Sequence, residues 1–283
     1  GGNKMNETKS VKALKKQLAA AIAMVLVAAI ALGSSTYAWF VSNTKVDAKT
    51  TNISAQSNSA YLVIDTKTTS TTSTSSATAA EEVGEGKKYP DKAIYPAQWA
   101  NGFAEDKSTT GTKIYQFETA YASDKGNADE NTDTRFAVGA PEAAVTADYA
   151  IGNKFFIGTG TYDGEFKNLK VDSLTVSTPS NVADSKGLDA ALRVLVYVDQ
   201  NNWAVVSSNG VEKSCLAGTV VTQGDNLGII HSAAFGKEAG DVEMTLYVYY
   251  DGADEQVYTT NLSNLQKEVG ATVSFSATAT EHK

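Results

Sequence analysis

The stretch DVEMTLYVYYDG, residues 241–252, alternates like an amphipathic strand and ends in a turn. Every second position carries an aliphatic or thioether side chain: Val242, Met244, Leu246 and Val248. The positions between them carry carboxylate, hydroxyl or phenol groups: Glu243, Thr245, Tyr247 and Tyr249. Because successive side chains of a strand point to opposite faces, this pattern predicts a β-strand with one face in the core and the other in water. Asp251-Gly252 supplies the turn that ends it.

Other stretches follow the same two-residue period. Residues 191–199, ALRVLVYVD, are almost all β-favouring, which predicts a central strand. In ATVSFSAT, residues 271–278, the side chains of Val273, Phe275 and Ala277 are predicted to point inward. Shorter strands are predicted at SAYLVID, KIYQFETAYA, NKFFIGTG and NWAVVSS, separated by turn signals. This many short strands predicts an all-β fold, and within that class an antiparallel, jelly-roll-like β-sandwich.

One predicted strand changes phase along its length. The apolar residues of NLKVDSLTVS, residues 168–177, switch parity half-way: Leu169 and Val171 first, then Leu174 and Val176. All four can be buried on one face only if an extra residue interrupts the alternation. The sequence therefore predicts a bulge or bend near Asp172-Ser173.

The N-terminal region is predicted to be an export or anchor segment. Residues 18–32 form an uninterrupted apolar run of 15 residues that follows a cluster of lysines, which predicts a hydrophobic helix. The run has the length of a secretory signal and is shorter than the roughly 18 to 20 residues of a spanning helix. Thr36 and Ala38 supply the small residues that signal peptidase requires, so that cleavage would leave Trp39 as the new N-terminus. The chain is thus divided into a basic and hydrophobic segment, 1–38, and a β-sandwich domain, 39–283.

A second interpretation keeps the hydrophobic helix in the working protein. Pilin subunits pack apolar N-terminal helices in the centre of their filament, and residues 18–32 would suit that position. Against this, the run contains no acidic residue of the kind that type IV pilins place near the start of the helix. Cleavage is therefore favoured over retention.

The residues around the cleavage site resemble the TasA and camelysin group, which Gram-positive bacteria export through SipW-type signal peptidases. In that group a Gly/Ser-Thr-aromatic-Ala stretch precedes an aromatic residue, a short polar segment and an alternating strand. The matching positions here are Ser35, Thr36, Tyr37, Ala38, Trp39, Phe40, Ser42 and Asn43. The resemblance implies a β-sandwich protein of extracellular surface fibres or matrix. Some relatives are described as proteases, but this chain has too few zinc ligands to support that role.

Composition argues against several functional classes. The formal net charge is −8, with 32 Asp and Glu against 24 Lys and Arg, which does not favour a nucleic-acid partner. Cys215 is the only cysteine, so no disulfide can form within the chain. The two histidines, His231 and His282, are too far apart for a zincin helix, and no G-x-S-x-G motif accompanies them. We therefore expect neither an enzyme nor a bound cofactor.

Two polar segments are predicted to be loops. The Ser/Thr-rich residues 66–88 have almost no large apolar side chain and cannot offset their ordering entropy by burial, which predicts a mobile insertion. Residues 122–135 carry oxygen ligands of the kind that calcium prefers, at spacings that do not fit an EF-hand. These are Asp124, Asn127, Asp129, Glu130 and Asp133. Calcium is thus the one metal ion for which the sequence offers candidate ligands.

An aromatic segment allows two interpretations. In YPDKAIYPAQWANGF, residues 89–103, the rings of Tyr95, Trp99 and Phe103 would suit a glycan-stacking platform. They would equally suit a turn-rich cover packed onto the sandwich, which the prolines favour. The platform would make the chain a membrane-anchored surface adhesin.

The favoured functional hypothesis is a structural subunit of an extracellular filament. A segment from Trp39 to about Ser54 that stays out of its own sheet would enter the open sheet edge of a neighbouring copy. Its apolar anchors would be Trp39, Val41, Val46 and Ile53. Such a head-to-tail contact produces an open filament. The expected partners are other copies of the chain, signal peptidase during export, and the membrane through the N-terminal helix alone.

Overall fold

The computed structural model describes residues 53–57, 62–66, 76–79, 94–102, 114–119, 137–177, 188–254, 257 and 270–280. These residues form sixteen strands and two short helices, and the all-β prediction is confirmed. In chain order the elements are β1 (Ile53–Ser57), β2 (Val63–Asp65), β3 (Ser76–Ala79), β4 (Ala97–Gly102), β5 (Ile114–Thr119), β6 (Ala137–Gly139), α1 (Pro141–Thr146), β7 (Ile151–Gly158), β8 (Glu165–Ser177), α2 (Leu188–Ala191), β9 (Leu192–Asp199), β10 (Asn202–Ser207), β11 (Gly210–Leu216), β12 (Thr219–Val221), β13 (Ile229–His231), β14 (Phe235–Gly236), β15 (Val242–Tyr250) and β16 (Gly270–Ala279).

The strands form three sheets. The seven-stranded sheet has the order β12-β11-β10-β9-β15-β7-β2, which places β9 at its centre as predicted. The six-stranded sheet has the order β13-β8-β16-β1-β3, with β14 also paired to β8. The third sheet has the order β4-β5-β6. Every pair of described strands is antiparallel except β1 and β16, which run parallel.

The main hydrophobic core draws its residues from both large sheets. Val171 of β8 and Phe275 of β16 belong to the same buried cluster as Val196 of β9 and Leu246 of β15. The parities predicted to be apolar in β15 and β16 are the ones that enter this cluster. Burying aliphatic and aromatic side chains from two sheets in one cluster supplies the main favourable free energy of folding.

The predicted bulge in β8 is present. Ser173 is aligned with Ser274, but the next aligned pair is Val171 with Phe275, so Asp172 is the extra residue. The change of phase lets Leu174 remain buried on the same core as Val171. Ser276 Oγ donates a hydrogen bond of 2.8 Å to Asp172 Oδ1, which ties the bulge to β16.

The second face of β15 differs from the prediction. Tyr247 and Tyr249 were expected to face water, but they are 0% and 2% exposed. The three-stranded sheet and α1 cover this face, and their buried residues form a second cluster that includes both tyrosines. A tyrosine ring is largely apolar and can be buried when another element packs on it. Here the elements that pack on these rings are distant from β15 in the sequence.

The Ser/Thr-rich segment also differs in part from the prediction of a mobile insertion at 66–88. Residues 76–79 within it form β3, which pairs antiparallel with β1. A strand is held by main-chain hydrogen bonds to its neighbour, which need no apolar side chains, and β1 is that neighbour for β3. Most of the remaining residues of the insertion lie outside the described ranges, as do residues 1–52 with the predicted N-terminal helix. No helix within the described ranges is long and apolar enough to cross a membrane.

Candidate assembly site

The first described strand of the chain lies beside the last one. β1 pairs parallel with β16, and the register aligns Ile53 with Ala271, Ala55 with Val273 and Ser57 with Phe275. On its other side β1 pairs with β3 from Ile53 to Gln56. More than 200 residues separate β1 from β16 along the chain. The two strands are therefore paired across a very long loop and not through a local turn.

The stretch of β16 next to β1 carries core residues. Ala271, Val273 and Phe275 are all 0% exposed and belong to the main cluster. The other side of β16 is paired with β8 along the whole of this stretch. β1 thus satisfies the backbone groups of β16 on the side that β8 leaves open, at the place where the sheet edge borders the core.

β1 itself has little in its sequence to hold it in place. Its five residues, ISAQS, include one large apolar residue, Ile53. Main-chain hydrogen bonds to β16 and β3 are therefore the main attachment that the sequence of β1 provides. The same main-chain hydrogen bonds form whether the strand comes from the same chain or from another copy of it.

The structure places one of the four predicted donor-strand anchors. Ile53 lies in β1 and pairs within its own chain, whereas the donor segment was expected to stay out of its own sheet. The backbone of β16 explains the difference, because a strand edge beside the core takes whichever β segment is nearest. The anchors Trp39, Val41 and Val46 lie outside the described residues. The predicted processing residues Thr36 and Ala38 lie outside them as well.

The structure contradicts the predicted role of Trp99 in a glycan-stacking platform. Trp99 is 2% exposed, and its ring packs edge to face on Trp203 and Tyr197, with centroid distances of 5.6 and 6.1 Å. Tyr95 is half-buried and packs on Tyr149 at 5.3 Å. Phe103 lies outside the described residues. The Trp99 ring is packed against β9 and β10 of the seven-stranded sheet, which leaves almost none of its apolar area for a ligand.

The aromatic cluster around Trp99 is fixed from both sides. The rings of Tyr115 and Trp203 pack at a tilt of 52° with centroids 4.5 Å apart, and Phe117 meets Tyr249 edge to face at 5.1 Å. Lys213 Nζ donates a hydrogen bond of 2.6 Å to the carbonyl oxygen of Trp99, which links β11 to β4. Within the described part of the chain, the buried indole N–H groups of Trp99 and Trp203 have no acceptor. This cluster joins the three-stranded sheet to the seven-stranded one, and its role is to pack the two sheets together.

Arg193 is buried and is the centre of a group of charges whose carboxylates are partly exposed. Its Nε lies 2.8 Å from Glu212 Oε1 and 3.8 Å from Asp251 Oδ2, and its Nη2 lies 3.4 Å from Asp254 Oδ2. Arg193 Nη1 also donates to the carbonyl oxygens of Ala190 and Leu192. Burial raises the pKa of Asp251, while the Arg193 guanidinium acts to lower it. Arg193 thus balances three carboxylates beside the α2–β9 junction and is also bonded to the backbone there, which is a structural arrangement.

Cys215 and His231 are the cysteine and the histidine that lie within the described residues. Burial raises the pKa of the Cys215 thiol and lowers the pKa of His231, which favours the neutral form of both groups. In the described part of the chain no three His, Cys, Asp or Glu residues are arranged to hold a metal ion. The predicted calcium ligands, residues 124–133, lie outside the described ranges.

Comparison of the chain with protein-family models, curated proteins and solved structures gives no match. Sequence reasoning identified β16 from its alternation but not its parallel partner. No signal in ISAQS or SATA indicated that these short polar segments would be neighbours in one sheet.

Proposed function

We propose that this chain is the structural subunit of an extracellular filament, a pilus or biofilm matrix fibre, assembled head to tail by exchange of an N-terminal strand. In the filament, the place beside β16 of one subunit is taken by β1 of the next subunit. The two large sheets form the layers of an antiparallel β-sandwich, and β1 completes one of them. The observation that carries the proposal is the parallel pairing of β1 with β16, across an edge that borders the core.

The connection that follows β1 allows this exchange. β1 belongs to the six-stranded sheet and β2 to the seven-stranded sheet, and residues 58–62 link them. If these residues extend outward, β1 leaves its own sheet while β2 stays paired with β7. The vacated edge then receives β1 of the preceding subunit with the same register. This repeats the same contact in each subunit and does not close on itself.

The N-terminal segment fits the same scheme. Removal of residues 1–38 by a signal peptidase frees Trp39 and the chain that leads into β1. The apolar residues Trp39, Val41 and Val46 then lengthen the donated strand, which compensates for the weak apolar content of ISAQS. The resemblance to the TasA and camelysin group supports export to the surface of a Gram-positive bacterium.

The experiment is the N-terminal sequence and intact mass of the protein stripped from its native cells, combined with negative-stain imaging of the sheared surface fraction. Fibres of this subunit that begin at Trp39 are the expected result. A start at or before Met5 would mean that residues 18–32 are kept, and the filament would then have to assemble by a helix core. A surface fraction without fibres of this subunit contradicts the proposed function as a whole.

A further inference from the structure

The outer face of the six-stranded sheet contains a cavity of about 330 Å³. Asn168 and Lys170 of β8 line one wall, Ser276 and Thr278 of β16 the second, and Asp225 and Asn226 of the β12–β13 loop the third. The cavity lies beyond the end of β1, because β1 pairs with β16 only as far as Phe275. It is thus separate from the assembly site.

The cavity has a defined shape because the backbone around it is fixed. Gly228 adopts φ +87°, and a Cβ there would lie 2.6 Å from the carbonyl oxygen of Val171. The carbonyl of Gly228 accepts a hydrogen bond from Val171 N, and Gly228 N donates to Ser214 Oγ. These contacts hold the β12–β13 loop against β8 and so position Asp225 and Asn226. Only glycine fits this close approach.

The polar side chains around the cavity are available to a ligand. Within the described part of the chain, the side chains of Asn168, Lys170, Asp225, Asn226 and Thr278 have no hydrogen bond or ion pair. Ser276, which also lines the cavity, differs from them because its hydroxyl is bonded to Asp172. Polar groups placed around a small-molecule pocket fix the orientation of its ligand, and these five side chains line one concave site.

The chemistry of the walls favours a neutral, hydroxyl-rich ligand. One ammonium and one carboxylate balance each other, so the site attracts neither anions nor cations strongly. The amides and the hydroxyl offer both donors and acceptors, which matches groups that also donate and accept. Ile229, 9% exposed, provides an apolar surface at the same site. A pyranose ring has this combination of hydroxyl edge and C–H face, and a volume near the lower end of ordinary ligand pockets, about 300 Å³, holds one or two such rings.

We propose that this cavity binds a neutral hexose unit, either free or within a polysaccharide. Asp225, Asn226 and Asn168 hydrogen-bond the ring hydroxyls, Lys170 donates to a hydroxyl or ring oxygen, and Ile229 contacts the C–H face. The site does not depend on strand exchange. In a filament, each subunit would present one such site on the outer face of its six-stranded sheet.

The test uses saturation-transfer NMR on the purified full chain with glucose, galactose, mannose and N-acetylglucosamine as separate probes. At least one sugar is expected to receive saturation from the protein. The double variant Lys170→Ala/Asp225→Ala should weaken its binding by about tenfold or more, because each lost hydrogen bond involves a charged group. The control is Lys167→Ala/Glu238→Ala, which removes the same charges from exposed positions outside the cavity and should leave binding unchanged.

Three outcomes overturn the proposal. The first is that none of the four sugars receives saturation. The second is that binding is equal in the cavity variant and in the control. The third is that inorganic phosphate at the same concentration displaces the bound sugar, which would make the cavity an anion site centred on Lys170. Thermal unfolding of both variants verifies that they are folded, and filament formation by the cavity variant separates this proposal from the assembly proposal.

Discussion

Trp99 and Trp203 meet edge to face, with ring centroids 5.6 Å apart and planes at 85°, although they belong to different sheets. Trp99 lies on β4 and Trp203 on β10, and both are almost completely buried. The bridge between Ala97 and Asp251, with Gly252 N donating to Ala97 O at 2.8 Å, joins the same two sheets through the backbone. The three-stranded sheet is therefore an integral cover of the seven-stranded sheet.

This contact predicts a large stability effect at Trp99. Trp99→Ala should lower the free energy of unfolding by about 3–5 kcal/mol, because it opens a cavity between the sheets. Trp99→Phe should cost less than half as much, since the indole N–H has no acceptor among the described residues to lose. Urea unfolding measures both, with Tyr162→Ala as the control at a position that is 36% exposed. A cost for Trp99→Ala equal to that of the control would contradict the packing described.

The bulge in β8 predicts that deletion of its extra residue is tolerated. Deleting Asp172 leaves Val171 and Leu174 on the same face by plain alternation and keeps the pairing with β16 on both sides of the deletion. The deletion should therefore cost about as much as Asp172→Ala, which keeps the bulge and loses the hydrogen bond from Ser276, a cost of about 1 kcal/mol. Chemical denaturation measures both losses. A loss on deletion far larger than that of Asp172→Ala would contradict the assignment of Asp172 as the extra residue.

The buried tyrosines of β15 predict a loss of stability at high pH. Burial raises the pKa values of Tyr247, Tyr249 and Tyr250 above the ordinary value of 10.0. The unfolded chain then loses these protons at a pH where the folded chain keeps them. The contribution of these three tyrosines to the free energy of unfolding is therefore complete below pH 10 and is lost as the pH rises above 10. Absorbance at 295 nm should show some of the 13 tyrosines ionising only together with unfolding. Free titration of all of them near pH 10 in folded protein would refute the burial.

The charge group at Arg193 predicts a pH-dependent stability defect. Arg193→Ala leaves three partly exposed carboxylates without their counter-ion and should cost about 1–3 kcal/mol at neutral pH, less than the loss of a fully buried pair because solvent screens these charges. Without Arg193, the pKa of Asp251 rises further above its ordinary value of 3.8. A raised carboxyl pKa favours the folded state at low pH, so the defect should shrink as the pH falls from 7 towards 4. The matched control is Lys154→Ala, whose exposed pair with Glu243 should contribute under about 1 kcal/mol at any pH. A defect that grows on acidification would contradict this account.

The sequence predicts the features of this fold that depend on residues close together along the chain, and it misses those that depend on distant segments. The parity of β15 and the bulge at Asp172 are visible in the sequence because they depend on side chains one or two positions apart. The burial of Tyr247 and Tyr249 is not, because it depends on β4, β5 and α1 arriving from more than 90 residues away. The helix α1 carries a local signal, Pro141 at its start and Glu142 in the first turn, in a sequence too short for periodicity. The pairing of β1 with β16 and β3 has no sequence signal, since main-chain hydrogen bonds are the same for every residue type.

The most direct test of strand exchange is a cross-link between two subunits at register partners Ser54 and Thr272. Chains in which Cys215 is replaced by Ala would carry either Ser54→Cys or Thr272→Cys, and the two chains would be co-assembled in native cells and oxidised. Exchange of β1 predicts reductant-sensitive dimers that contain one chain of each kind. Filaments without mixed dimers, in which a chain carrying both substitutions closes a disulfide within itself, would show that β1 stays in its own subunit and would contradict the proposal.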